Sequence, residues 1–211
     1  MPKVPFYSNT PNDTHCFQAS LRSVLKYFEP SRDFTWDELD RITNKPKDMW
    51  TWPMAGLSWL AEHGYSVIDI EPFDYGRFIN EGREYMETLW GKDVVIEQAK
   101  HSDISLAQTD SKKFVETVTV QNKIPSQTDI QEFLNQGCLV ICMLNASKLN
   151  QKRDFVGHSV LVIGHDQNGF TIHDPGLPAL ENRHVPYPLF EEAWGDPNDS
   201  AKNLAAIKLS S

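Results

Sequence analysis

Three cysteines occur in the chain, and Cys16 differs from the other two in its surroundings. It stands in "PNDTHCFQASLRSVLKYF" (11–28), where a polar lead-in ends and an apolar helical pattern begins. A thiol attacks a carbonyl only as thiolate, and a helix N-terminus favours the thiolate through unpaired N–H groups and a positive dipole end. The bland alternative is a small core residue, since free cysteine is among the most buried residue types. Nucleophilic chemistry needs a base and a group that orients the base. "GHSVLVIGHDQNGFTIHDPG" (157–176) offers both. His158 opens an apolar strand directly after Gly157, and Asp174 closes the following strand. His15 adjoins Cys16, but sequence neighbours rarely face each other at a helix start, so it is expected at a cleft rim.

The elements that must position these groups follow from periodicity. Phe17, Leu21, Val24, Leu25 and Phe28 recur at helical steps, which predicts a helix over 16–28 ended by Pro30. Helices are also expected at 35–42, with a Thr35/Glu38 capping box, and at 51–65, with Gly64 as stop. "SVIDIEPF" follows as a strand. Trp50 or Trp52, before the third helix, could line a peptide groove. Residues 72–124 read as a helical insertion within one domain spanning 1–211. Farther on, "TDIQEFLNQG" predicts a helix with Thr128 and Gln131 as its capping box. Strands are expected at 138–146, 158–166 and 170–175, and "EEAWGDPND" is expected as a surface loop. Cys138 and Cys142 fall inside the first of these strands and read as inert core thiols.

Helices thus lead and antiparallel strands follow, which is an α+β pattern and not doubly wound α/β. Register sets a condition on the site. A two-residue turn between the last two strands would put His173 on the face of His158. A three-residue loop, Gln167 to Gly169 with Gly169 left-handed, would put Asp174 there. Even then a bulge, near Gly164, or strong twist is needed to bring Asp174 to His158. His173 is then expected to face outward, and His165 to sit at the surface near the turn.

The 211 residues suffice for one sizeable core. A net charge of −9 and a pI near 5.2 argue against nucleic-acid or anionic-membrane binding. "MPKVPFYSNTPND" lacks a signal-peptide apolar region, and no run is long enough to span a bilayer. The odd, irregularly spaced cysteines form neither a disulfide framework nor a zinc motif. A cytoplasmic protein with reduced thiols, no cofactor and no metal is expected, of unknown oligomeric state.

Cys16 opening a helix, "GHSVLVIGHD" after an apolar strand, and then "GFTIHDPG" together resemble the C39-like, papain-fold cysteine peptidases. The resemblance covers roughly 4–30, 50–70 and 128–176. It implies a papain-like domain, its N-terminal helical half packed on a C-terminal antiparallel sheet. It further implies Cys16 as nucleophile, His158 as general base and acid, Asp174 as orienter, and a peptide or protein substrate. Two positions depart from the family. Phe17 stands where glycine usually follows the cysteine, and the upstream oxyanion-hole glutamine is replaced by Thr10, with Asn9 beside it. Asn9 is the better substitute because it keeps an amide donor; losing one such donor typically costs about 10²–10³ in rate. The resemblance leaves open an acyltransferase on the same three residues, or a peptide-binding module without catalysis.

Overall fold

A computed structural model describes residues 3–210. Helix α1 (Cys16–Phe28) is followed by α2 (Trp36–Ile42), α3 (Met54–Glu62) and strand β1 (Tyr65–Ile70). Four helices come next: α4 (Tyr75–Glu81), α5 (Arg83–Trp90), α6 (Lys92–His101) and α7 (Ile104–Thr117), leading into the short β2 (Thr119–Gln121). The remainder comprises α8 (Gln127–Asn135), β3 (Leu139–Asn145), α9 (Ala146–Leu149), β4 (Gly157–His165), β5 (Gly169–Asp174), β6 (Leu180–Pro186), α10 (Tyr187–Trp194) and β7 (Leu204–Leu209). Among the described residues no helix is long and apolar enough to cross a membrane, and no cluster of His, Cys, Asp or Glu is placed to hold a metal ion.

One seven-stranded sheet, in the order β2-β1-β7-β3-β4-β5-β6, organises the molecule. The α+β class holds, but the sheet is not purely C-terminal: β1 joins it from the helical half, and β2 pairs with β1 in parallel. The C-terminal β7, unread in the sequence, lies between β1 and β3. On one face Leu21, Val24 and Leu25 of α1 pack with Leu57 and Leu60 of α3 and with Val67, Ile141, Leu161 and Ile207 of the sheet. On the other face Ile130 and Leu134 of α8, with Phe190 and Trp194 of α10, cover Val140, Val160, Ile172 and Ala206. Both faces are therefore covered, and strands such as "LVICMLN" read as nearly unbroken apolar runs.

Three local expectations change. The cap of α8 is Ser126 with Asp129, two residues before the expected pair. Only the second half of "EEAWGDPND" is a loop: Glu191–Trp194 ends α10, because Trp194 anchors in the core and its indole N–H donates to the Asn203 carbonyl at 2.7 Å. The β4–β5 connection is a two-residue turn: Asp166 N–H donates to the Gly169 carbonyl at 3.0 Å, and the Asp166 carboxylate caps the N–H groups of Asn168 and Gly169. Gly169 has no positive φ. It is glycine for another reason, since a Cβ there would fall 2.2 Å from the Val185 carbonyl oxygen of β6.

That turn alone would set His173 on the face of His158. The register instead shifts between Val162 and Gly164, leaving Ile163 unpaired, so that Leu161 pairs with His173 and Val162 with Ile172. The extra residue restores parity and puts Asp174 on the side of His158. His173 turns to the opposite face, where it is buried and not outward. Its Nε2 meets the Val4 carbonyl at 3.0 Å, and its ring packs on Phe6.

Candidate active site

Cys16 is the first residue of α1 and is half-buried. The apolar stripe of the helix fixes it on the sheet, and Ser159 Oγ of β4 meets Ser20 Oγ at 3.3 Å across that contact. No side chain caps the helix start, and the Cys16 N–H donates to no other group among the described residues. The first turn of α1 therefore presents a free donor and a positive dipole end beside the sulfur.

The fold gathers Cys16, His158 and Asp174 at one place: Asp174 holds His158, and His158 acts in turn on the Cys16 thiol. His158 is 5% exposed, and its Nε2 lies 2.8 Å from Asp174 Oδ1. With Nε2 engaged, Nδ1 is the ring nitrogen left to face the Cys16 sulfur. Burial pushes the thiol up, but the hydrogen bond and charge of His158, with the N–H groups of Ser159 and Phe17, outweigh it and hold the thiol below its ordinary value. Burial works against the imidazolium too, yet bonds from Asp174 and Cys16 push His158 up to about 10. The two shifts run in opposite directions, and each group is among the causes of the other's shift.

Asp174 is buried, which favours its neutral form, and its partners reverse this. His158, the Gly176 N–H at 3.0 Å and Arg183 hold the carboxyl below its usual range. Arg183 Nη1 donates to Asp174 Oδ2 at 2.7 Å, while Nη2 donates to the Leu149 carbonyl at 2.7 Å. Sequence reasoning missed Arg183, which sits on the unread β6; a single arginine on the strand after "DPG" was its only trace. Gly176 was missed as well. A Cβ there would meet Asp174 Oδ1 at 3.0 Å and His158 Nε2 at 3.4 Å.

The lead-in loop has its own bonding. Asn9 Oδ1 accepts from the N–H groups of Thr10 at 2.9 Å and His15 at 2.7 Å, and Nδ2 donates to Asp13 at 2.7 Å. Its backbone N–H donates to the Pro175 carbonyl at 2.8 Å, which ties the loop to the segment after Asp174. One Nδ2 hydrogen of Asn9 has no acceptor among the described residues. The Thr10 hydroxyl bonds His15 Nδ1 at 2.6 Å and Asn12. His15 is spent on structure, with Nε2 3.1 Å from Asp40 and its ring edge-on to Trp36. Cys138 and Cys142 are buried, and burial pushes both thiols up.

Cys16 and Gly157 line a cleft of about 190 Å³. Trp50 and Trp52 also line it, together with Trp90 from the 72–124 helices and Phe155 from the segment before β4. The opposite wall is sheet, through Asp69 of β1, Ile141 and Met143 of β3 and Ala205 of β7.

Residues 90–187 match a family model described as "Peptidase_C39 like family". That match holds His158 and Asp174 and leaves Cys16 outside. In fold, the chain is similar to the crystal structure of a provisionally assigned C39-like peptidase from Bacillus anthracis, at 17% identity and a TM-score of 0.50, over 99% of this chain and 96% of that one. No curated protein matches. The chain therefore has the C39-like, papain-type architecture that its sequence resembles.

Proposed function

We propose that the chain is a thiol-dependent hydrolase that cleaves a peptide or isopeptide bond through an acyl-enzyme on Cys16. The observation that supports it best is the Asp174-held imidazole of His158, 2.8 Å from that carboxylate, acting on the Cys16 thiol, which opens α1 and lines an open cleft. The Cys16 thiolate attacks the carbonyl carbon, and the electron pair moves onto oxygen. The Cys16 N–H and the free Nδ2 hydrogen of Asn9 are the donors assigned to that oxyanion. As the C–N bond breaks, the His158 imidazolium gives its proton to the leaving amine. Water then attacks the thioester, His158 takes a proton from it, and the carbon–sulfur bond breaks to restore the thiolate. Asp174 holds the ring in position, and Arg183 holds Asp174.

Alkylation tests this. At pH 6 iodoacetamide should modify Cys16 far faster than Cys138 or Cys142, as read by peptide mass. His158→Ala should slow Cys16 by about 10²-fold, the scale of a lost general base. Labelling of Cys16 no faster than an ordinary thiol would overturn the proposal.

A further inference from the structure

The sheet wall of the cleft carries chemistry that acyl transfer does not use. Asp69 lies on the same side of β1 as Tyr65 and Val67, paired with Ala205, and lines the cleft although it is only 4% exposed. Its Oδ2 is buried and has no hydrogen-bond partner among the described residues. Glu71, just past the end of β1, accepts a hydrogen bond from the Tyr75 hydroxyl. Burial pushes both carboxyls up, Asp69 further raised by Glu71, and Glu71 reaches about 7. No lysine, arginine or histidine lines the cleft; its other charged residue is Asp196, which Asn145 engages at 2.8 Å. The approach to the pair is aromatic. Phe73 stacks on Trp90 at 5.7 Å between centroids and Trp90 on Trp52 at 6.5 Å.

A buried carboxyl without a partner is costly and is usually completed by a ligand or by a proton. With two carboxyls and no third ligand, this is a poor metal site. It suits an organic cation on an apolar stem. Lysine and arginine side chains have that form, an aliphatic chain that lies against aromatic faces and a charged head that seeks carboxylates.

We propose that Asp69 and Glu71 form the specificity pocket for a basic side chain, lysine or arginine, of the substrate. The stem lies along Phe73, Trp52 and Trp90, and the head pairs with the two carboxylates. The word substrate rests on the hydrolase proposal; the binding of the cation does not.

Two measurements on the full chain keep these apart. In the first, tryptophan fluorescence follows titration with hexylammonium or hexan-1-ol. Wild type should bind hexylammonium about tenfold more tightly than the alcohol, the scale of one charge-assisted bond, and Asp69→Asn and Glu71→Gln should each abolish the difference. Equal affinities in wild type, or a preference that survives both substitutions, would overturn the pocket. Should Asp69→Asn not fold, Glu71→Gln decides. In the second, peptidyl acyloxymethyl ketones ending in lysine, arginine or norleucine are compared by their rate of Cys16 labelling. The basic probes should lead by about tenfold, and the ratio should collapse in Glu71→Gln. Labelling without preference overturns the pocket as a specificity element. Cation binding with a Cys16 inert to every probe and to iodoacetamide overturns the hydrolase proposal and leaves the cation pocket standing.

Discussion

Asp69 and Asp174 are equally buried, each 4% exposed, yet they hold their protons in opposite ways. Both lie on the sheet, Asp69 on β1 and Asp174 at the end of β5. Burial favours the neutral acid in both. Asp174 is met by an imidazole, a guanidinium and a backbone N–H and stays ionised. Asp69 has no hydrogen-bond partner for its buried Oδ2 among the described residues, and burial together with the charge of Glu71 pushes it well up. Depth alone therefore says little about charge; partners decide it. An ionised, fully partnered carboxylate suits a group that must hold an imidazole still. An unpartnered one suits a group that waits for a ligand.

The largest effect that breaks this comparison is expected from Asp174→Asn. It leaves Arg183 and His158 facing an amide, and unfolding in urea at pH 7 should show a loss of about 3 kcal/mol. His158 should fall from about 10 toward its ordinary value, so fast alkylation of Cys16 should begin at a higher pH. The same change at Asp69 should alter stability by less than about 1 kcal/mol, since it removes a carboxyl that nothing satisfies.

A smaller effect comes from Gly176→Ala. The new methyl would press on Asp174 Oδ1 and His158 Nε2 at 3.0 and 3.4 Å and tilt the ring by tenths of an ångström. Labelling of Cys16 at pH 6 should drop about tenfold, while the urea midpoint barely moves. Full-rate labelling would show that the ring tolerates this shift.

The smallest effect is a slope. Glu71 is raised when folded, so its contribution to stability is complete below its unfolded value and is lost as pH rises through about 7. Asp69 has the same sign. Asp174, lowered when folded, contributes above its unfolded value and loses that contribution as pH falls. His158 begins to lose its contribution only above its unfolded value near 6.5. Urea midpoints between pH 4.5 and 6.5 should therefore fall less steeply in Glu71→Gln than in wild type, and an unchanged slope would contradict the raised value.

These contrasts also mark what the sequence could tell. The α+β class was legible because the helical period of α1 is easily told from the short apolar runs of β3 to β5. Strand β7 was not, because "LAAIKL" is short, rich in alanine and without period-2 alternation, and only its pairing with both β1 and β3 makes it central. Cys16 and His158 drew attention through chemistry that is rare at a helix start and a strand start. Arg183 acts only through space, on a partner no local pattern links to it, whereas Gly176 stands two residues from Asp174 in "HDPG" and reads there as an ordinary turn glycine. Asp69 was hidden differently: in "SVIDIEPF" a strand aspartate reads as the solvated half of an alternation, and the helices after β1 are what bury it. The 72–124 stretch lacked one apolar face because its helices also pack on one another, Gln108 of α7 donating to the Ile79 carbonyl of α4.

The unpaired Ile163 works as a parity bit for the hairpin. Strand residues alternate sides, so the backbone count between His158 and its partner is either odd or even, and nothing in between exists. With one residue too many on β4, the neighbour offered to the imidazole is an acid. Excising that residue would offer His173 instead, a second base, without altering a single side chain of the site. The identity of the third member is thus stored in chain length as much as in chemistry. Along this hairpin, single insertions and deletions are a harsher kind of mutation than substitutions.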